Sequence, residues 1–528
     1  MRKYITYLAF LITLFLGFES HAQENVFKKK SYQEKEIPTY QSSLNQLPKL
    51  IYDRRPKYIR LYDKAWELAF SNLMKPKEGS AFISNWIDEG LCEQIFQWDT
   101  HFCIQFGKYA DHIFSFIGSH DNFYHSQHED GMICRVINPD GTDHWWGLGE
   151  NNARAINPPL FSWAEWENFL ITGDDSRFES IIPVLEKYGK FIDDNRIGKN
   201  TPHQLYWSNG QASGMDNTPR DTGRSEPTDG YDCHSAFDPM GWVDMSSQMV
   251  MHYHYLSLIC RQVGHDNEAV KYSKKAKEIA SSINEWMWDE NSGLYYDVDT
   301  LGVKTPWITV ATFWPLLAGV CNESQAEKLV KNLTDPELFW RLIPLPSLAY
   351  GQEQFCDSGR YWRGGTWAPT NYMAVKGLQK NGYYNVAKEL SLKFMEGIWE
   401  VYKQTGTLWE VYSSERFMPS TNASDLFLCK PDFAGWTALG PISMMIENVI
   451  GIDCNALENE ITWLLTEDKR HGIENLHFNG SVIDLIAEKI DNSYRLDITT
   501  DKKFTLRVKD GDREKVIHIK PGHISIDF

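Results

Sequence analysis

The sequence is short of positive charge. Against 71 Asp and Glu stand 53 Lys and Arg, a net charge of -18, and no basic stripe interrupts that balance. This argues against nucleic acid or an anionic membrane as a partner. Beyond residue 22 no apolar run is long enough to span a bilayer. Cys-x-x-Cys pairs are missing. The nine cysteines (Cys92, Cys103, Cys134, Cys233, Cys260, Cys321, Cys356, Cys429 and Cys454) are scattered and odd in number, so no dense disulfide framework is expected, although an occasional bridge stays open. A His-Glu-x-x-His pattern, an EF-hand, a Gly-rich phosphate loop and a convincing Ser-His-Asp set are also absent. His120, His125 and His128 with Glu129 therefore read as satisfied loop histidines rather than a transition-metal site. No cofactor is expected, with an irregular Ca²⁺ site of loop carbonyls left open. No strict repeat at solenoid periods is visible.

What is present is a chain of 528 residues, 42% hydrophobic and 23% charged, enough for one large core or a large domain and a small one. Aromatics are abundant, with 20 Trp, 25 Tyr and 27 Phe. Their faces suit the apolar faces of sugar rings, although core packing must account for most of them. The N-terminus reads as a secretory signal over residues 1–22: Arg2 and Lys3, an apolar stretch over 5–18, and the small-residue site Ser20-His21-Ala22. No cysteine lies nearby for lipid attachment, so a secreted or periplasmic protein is expected. Residues 23–54 read as an N-terminal arm, polar and mixed to about residue 49.

Apolar residues at helical spacing predict helices over 58–74, 101–116, 160–170, 178–192, 240–263, 270–288, 307–320, 324–333, 369–379, 386–402 and 436–450. They are mostly paired, without alternating strands, which points to a mainly α, closed assembly over residues 55–452. Asn291-Ser292-Gly293 followed by Leu294-Tyr295-Tyr296 reads as a short extended link between helical hairpins. After Gly451 the pattern changes. Segments 461–465, 473–478, 481–487, 494–498, 504–508, 516–519 and 524–528 are short and partly alternating. Asn479-Gly480, Asp491-Asn492, Asp510-Gly511 and Pro521-Gly522 punctuate them. They predict a small, sandwich-like C-terminal β domain over 455–528.

Five loop segments could carry chemistry. Ser213-Gly214-Met215-Asp216-Asn217-Thr218-Pro219-Arg220 holds an Asp on an irregular stretch between helix-like regions. The others are rich in Trp, Arg and carboxylate: Gln97-Trp98-Asp99-Thr100-His101-Phe102, Glu150-Asn151-Asn152-Ala153-Arg154, Tyr361-Trp362-Arg363-Gly364-Gly365-Thr366-Trp367, and Leu408-Trp409-Glu410-Val411-Tyr412. A ring that stacks on C–H groups beside charges that take hydroxyls is what a sugar pocket needs.

In these motifs the chain resembles glycoside hydrolase family 63, of the α-glucosidase and mannosylglycerate hydrolase type, with trehalases more distant. The Ser-Gly-Met-Asp-Asn-Thr-Pro-Arg string is similar to the family's acid motif. The Trp-Arg-Gly segment and Trp409-Glu410-Val411-Tyr412 are similar to its other loops. The resemblance spans about residues 98–452 and implies a six-fold α/α toroidal barrel. It also implies an inverting exo-glycosidase on α-linked, α-glucosidic bonds, with an oligosaccharide or small α-glycoside as substrate. Asp216 would be the general acid and Glu410 the general base. Asp99, Arg154 and Arg363 would hold hydroxyls, with Trp98, Trp207, Gly364, Trp367 and Trp409 completing the substrate site. Val411 and Ser413 depart from the base motif, which leaves Glu415 as a rival base. The Gln-Trp-Asp-x-Pro signature of trehalases is absent. A general acid must keep its proton, so desolvation by Met215 or Trp207, or a second carboxylate, is required at Asp216; Arg220 within ~5 Å would oppose it. A sugar lyase or epimerase, or a non-catalytic glycan-binding protein, are the alternatives.

Overall fold

The protein is described by a computed structural model over residues 24–90, 93–144, 155–220 and 240–528. The expected signal peptide, Cys92, Arg154 and Cys233 lie outside the described residues.

Twelve helices frame the site: α1 (Lys57–Ser71), α2 (Gln97–Gly107), α3 (Ser119–Ser126), α4 (Phe161–Thr172), α5 (Phe178–Arg196), α6 (Val243–Gln262), α7 (Asp266–Trp286), α8 (Trp314–Ala318), α9 (Glu323–Leu333), α10 (Ala368–Lys380), α11 (Tyr384–Thr405) and the wide-turned α12 (Gly440–Ile450). They sort by burial. All residues of α2 and α12 are buried, as befits helices enclosed on every side. By contrast, α7 buries one stripe, Ala269, Tyr272, Ala276, Ile279 and Ile283, and faces solvent with the rest. The enclosed helices neighbour one another in chain order. Helix α2 packs on α4, α4 on α6, α6 on α8, α8 on α10, and α10 on α12, which returns to α2. Outside them, α5 and α7 cover α6, α11 covers α10 and α12, and α1 covers α12.

Two expected helices are shorter than their periodicity. The 101–116 segment ends at Gly107, because Phe116 folds back onto that glycine where a Cβ would stand. In 307–320 only Val310–Phe313, a tight 3₁₀ turn, and α8 are helical, with Pro315 opening α8 where its missing N–H costs nothing. The link at 291–296 is a small hairpin, with Asp289 opposite Leu294.

The β region has two sheets. One is ordered β1-β4-β5-β6-β9, from Lys49–Tyr52, His471–Phe478, Ser481–Ile490, Ser493–Thr500 and Gly522–Asp527. The other is ordered β2-β3-β7-β8, from Ile452–Asn455, Glu460–Leu464, Phe504–Asp510 and Arg513–Ile519. Ile483, Leu485 and Ala487 on β5 and Phe504, Leu506 and Val508 on β7 alternate inward, the period of a half-buried strand. Strands β1 and β2 were not anticipated. β1 belongs to the segment read as an arm, yet it pairs antiparallel with β4, Leu50 opposite Ile473.

Candidate active site

Two of the enclosed helices carry motif residues at their N-terminal ends, where the helix dipoles are positive. Trp98 and Asp99 lie in the first turn of α2, launched by the pairing of Ile95–Phe96 with Val136–Ile137. Trp242 precedes α6 and Asp244 opens it. Trp367 precedes α10, just after Gly365–Thr366 pairs with Tyr412–Ser413.

The loop bearing Asp216 is tied down on both sides. Asn209 caps the single helical turn Gly210–Ser213 by accepting from the Ala212 amide. Gly214 then takes a left-handed φ of 76°, and a Cβ there would run into the indole of Trp98. Only glycine fits both demands. Met215 is fully buried, whereas Asp216 retains accessible surface. Arg220 reaches the start of α6: its Nη2 donates to Asp244 Oδ2 at 2.5 Å, its Nη1 to Asp297 Oδ2 at 3.1 Å, and its guanidinium lies 4.4 Å from the Trp242 ring centre. It anchors the loop through those two carboxylates. Asn157, in the run that follows Arg154, donates to the carbonyls of Gln211 and Ala212 at 3.0 and 3.2 Å.

Glu410 is 6% exposed. Tyr361 donates its hydroxyl to Oε1 at 3.0 Å and the Lys430 amide donates to Oε2 at 3.2 Å. Burial raises the Glu410 pKa, and those donors with the Lys430 charge pull it back in part. Asp99 is held well above the usual carboxylate range, chiefly by burial and then by the like charges of Glu410, Asp216 and Asp88. Burial also pushes Asp88 up to about 6. Asp216 and Glu410 are thus each within electrostatic reach of Asp99. Glu415 is placed differently: Arg341 clasps it in a two-point ion pair, Nε to Oε1 at 2.8 Å and Nη2 to Oε2 at 2.6 Å.

The remaining expected site residues divide. Arg363 comes to the cluster, its Nε donating to the Asn217 carbonyl at 3.2 Å. Trp98 is 3% exposed and packs edge-on against Phe102. Trp207 has one face covered by Arg196 at 4.2 Å. Trp409 is half-buried, its Nε1 donating to Thr405. Trp367 has 0% exposure, sealed by Trp362 stacked at 4.0 Å and by Tyr361 and Trp436. A ring without accessible surface offers a sugar no face, so Trp367 shapes the loop instead of lining a pocket. Gly364 is likewise explained by its backbone, with φ at 135° and the Cys356 carbonyl where a Cβ would stand. Arg154 lies outside the described residues. The three histidines singled out above have separate protein partners: His120 with Glu165, His125 with the Phe27 carbonyl, and His128 with Asp143. Among the described residues no cluster of His, Cys, Asp and Glu could hold a metal ion, and seven cysteines are free.

Three contributors went unassigned in the sequence. Tyr361 and Asn217 stood inside quoted motifs without a role. Lys430 had no signal, since it stands in none of the motifs and its hydrogen bond to Glu410 comes from its backbone.

The profile of the mannosylglycerate hydrolase MGH1-like glycoside hydrolase domain matches residues 120–432. An uncharacterized protein of Borreliella burgdorferi is 25% identical over 488 residues, 91% of this chain and 98% of its own length. A probable mannosyl-oligosaccharide glucosidase of Schizosaccharomyces pombe is 26% identical over 255 residues, 45% of this chain and 29% of its own. Among solved structures, the GH63 mannosylglycerate hydrolase of Thermus thermophilus in complex with glucose superposes with a TM-score of 0.55 at 20% identity, over 72% of this chain and 99% of that one. At that identity the likeness shows a shared fold over the part of the chain that it covers. The profile covers more than half of the sequence and takes in Asp216, Tyr361, Arg363 and Glu410, so the chain belongs to the mannosylglycerate hydrolase MGH1-like family of glycoside hydrolases.

Proposed function

We propose that the protein is a secreted or periplasmic inverting exo-glycosidase that cleaves α-glucosidic bonds, with Asp216 as general acid and Glu410 as general base in a six-fold α/α toroid. The observation that carries the reading is the setting of Glu410. It is buried, fixed at both oxygens by Tyr361 and Lys430, and electrostatically coupled through Asp99 to Asp216. A base that activates water must be held in one orientation, and crowded carboxyls retain the proton that an acid must supply. The chemistry uses side chains alone. Asp216 would protonate the leaving oxygen while Glu410 takes a proton from the water that attacks the anomeric carbon. Asp99 and Arg363 would hold hydroxyls, and Trp98 would wall the sugar. The ordered neighbours of the six enclosed helices support the toroid, and the residues at 2–22 support export. The glucosidase relative supports the sugar.

A tyrosine-based lyase finds no support at Tyr361. Burial, and then the charges of Glu410 and Asp216, hold that phenol well above its ordinary pKa. The test is proton NMR of the first sugar released from a panel of α-glucosides, α-mannosides and glycerate glycosides. The β anomer is expected from an α-glucoside. An initial α anomer, or an unsaturated product, overturns the mechanism.

A further inference from the structure

Tyr361 sits on a turn that the chain would not adopt unaided. Arg360 and Tyr361 both have left-handed backbone angles, φ 36° and 64°, where bulky side chains are outliers. One side chain from elsewhere bridges this turn. Asn217 donates its Nδ2 to the Arg360 carbonyl at 3.1 Å and accepts the Trp362 amide on Oδ1 at 2.8 Å, so its amide spans both flanks of Tyr361. It is 1% exposed. A donor and an acceptor used in opposite senses require asparagine's two-ended amide. On the far side, Thr421 accepts the Arg360 amide on Oγ1 at 3.2 Å and the Tyr361 amide on its carbonyl at 2.9 Å. Asn217 is also the residue after Asp216, and its own carbonyl accepts from Arg363.

Resting on the acid and base assignments above, we propose that Asn217 is a positioning residue that pins the Tyr361 turn to the acid loop, so that placement of the acid and orientation of the base are set by one contact. Asp216 then cannot move along the chain without moving the phenol that holds Glu410 Oε1. Besides Tyr361, the groups facing Glu410 are Lys430, Asp99 and the Cys429 thiol, and Asp216 faces Tyr361. Neither the Asn217 nor the Tyr361 substitutions below touch Lys430, Asp99 or Cys429.

The test is the pH profile of kcat/KM on an α-glucoside for the full chain carrying Asn217→Ala, Tyr361→Phe and both together. The Tyr361 hydroxyl favours ionised Glu410, so its loss raises the pKa of the base. The low-pH limb should then move to higher pH by about one unit. Asn217→Ala should reproduce that shift, with kcat falling more than KM changes, and the double variant should move no further than Tyr361→Phe. If Asn217→Ala does not fold, Asn217→Ser carries the same comparison, since its hydroxyl is too short to span the turn. Unshifted limbs with a uniform fall in rate, or shifts that add in the double variant, overturn the clamp. Full activity in Glu410→Gln would instead overturn the base assignment, which keeps the two failures distinguishable.

Discussion

Glu410 and Glu415 share one loop, and their partners separate them. Tyr361, Lys430 and residual access to solvent surround the first, whereas Arg341 occupies both oxygens of the second. Glu410→Gln should lower kcat by about 10²–10⁴-fold, the usual contribution of general base catalysis, while Glu415→Gln should leave kcat within about twofold and cost about 1 kcal/mol of stability. Steady-state kinetics and urea unfolding check both, and the reverse pattern would transfer the base to Glu415. Asp216→Asn should hurt glycosides with poor leaving groups most, because they need the proton; equal losses across a series of aryl glycosides would remove it as the acid. Motif chemistry singled out Asp216 and Glu410 in the sequence. It put Glu410 ahead of Glu415, but the clasp that sets Glu415 apart was not legible, because Arg341 is remote in the chain. Trp367 was misread for a related reason: a Trp beside Arg suits a sugar, and only the stack on Trp362 shows the ring to be sealed.

At the scale of elements, nine of the predicted helices were legible within a few residues because the outer ones carry one apolar stripe and the enclosed ones are buried along almost their whole length. The exceptions, at 101–116 and 307–320, ended on contacts that periodicity does not encode. Unforeseen too was the charge buried toward the C-terminal ends of the enclosed helices. Lys108 meets Glu167 and Glu447 at 3.1 Å, and Lys376 lies 3.2 Å from Glu447 and 3.6 Å from Glu167. Cations near helix C-termini also complement the dipoles. Burial alone would raise the Glu167 pKa, but Lys376 and Lys108 outweigh it and bring it to about 2. A folded-state pKa below the ordinary 4.5 stabilises the protein above that pH, and the contribution is lost as pH falls toward 2. Lys376→Met should therefore cost about 3–5 kcal/mol at neutral pH, where it strands buried carboxylates, and distinctly less at pH 3. Urea unfolding at the two pH values checks this, and an equal loss at both would show that the pairing energy is not what the lysine supplies.

In the whole molecule, a strand from before the helices joins the β region that follows them. Strand β1 enters the sheet beside β4, Tyr52 opposite His471, before α1 begins, so the helical region is bracketed by strands of one sheet. The contact is more than a ladder. Tyr52 donates its buried hydroxyl to Glu467 at 3.1 Å, Glu467 also takes Lys388 from α11 at 2.5 Å, and Asn475 donates to the Leu47 carbonyl at 3.2 Å. The Trp463 indole donates to the Ile450 carbonyl at the end of α12. Four residues with a partner hundreds of positions away are invisible to a local reading, which is why this strand was taken for an arm. Its consequence is cooperativity. If β1 ties sheet and helices together, the native chain should melt in a single calorimetric transition with equal calorimetric and van't Hoff enthalpies. Tyr52→Phe leaves Glu467 short of one donor at a buried site and should cost about 1–3 kcal/mol while the melt stays single. Replacing Leu50 and Tyr52 together by Asp would put charge where β1 meets the core and should detach the strand, leaving the edge of β4 uncovered. The β region should then unfold first, in its own transition, and exchange its amide protons ahead of α2 and α12. Two transitions in the native chain, or one in the doubly substituted chain, would show that β1 decorates the sheet without coupling it to the enclosed helices.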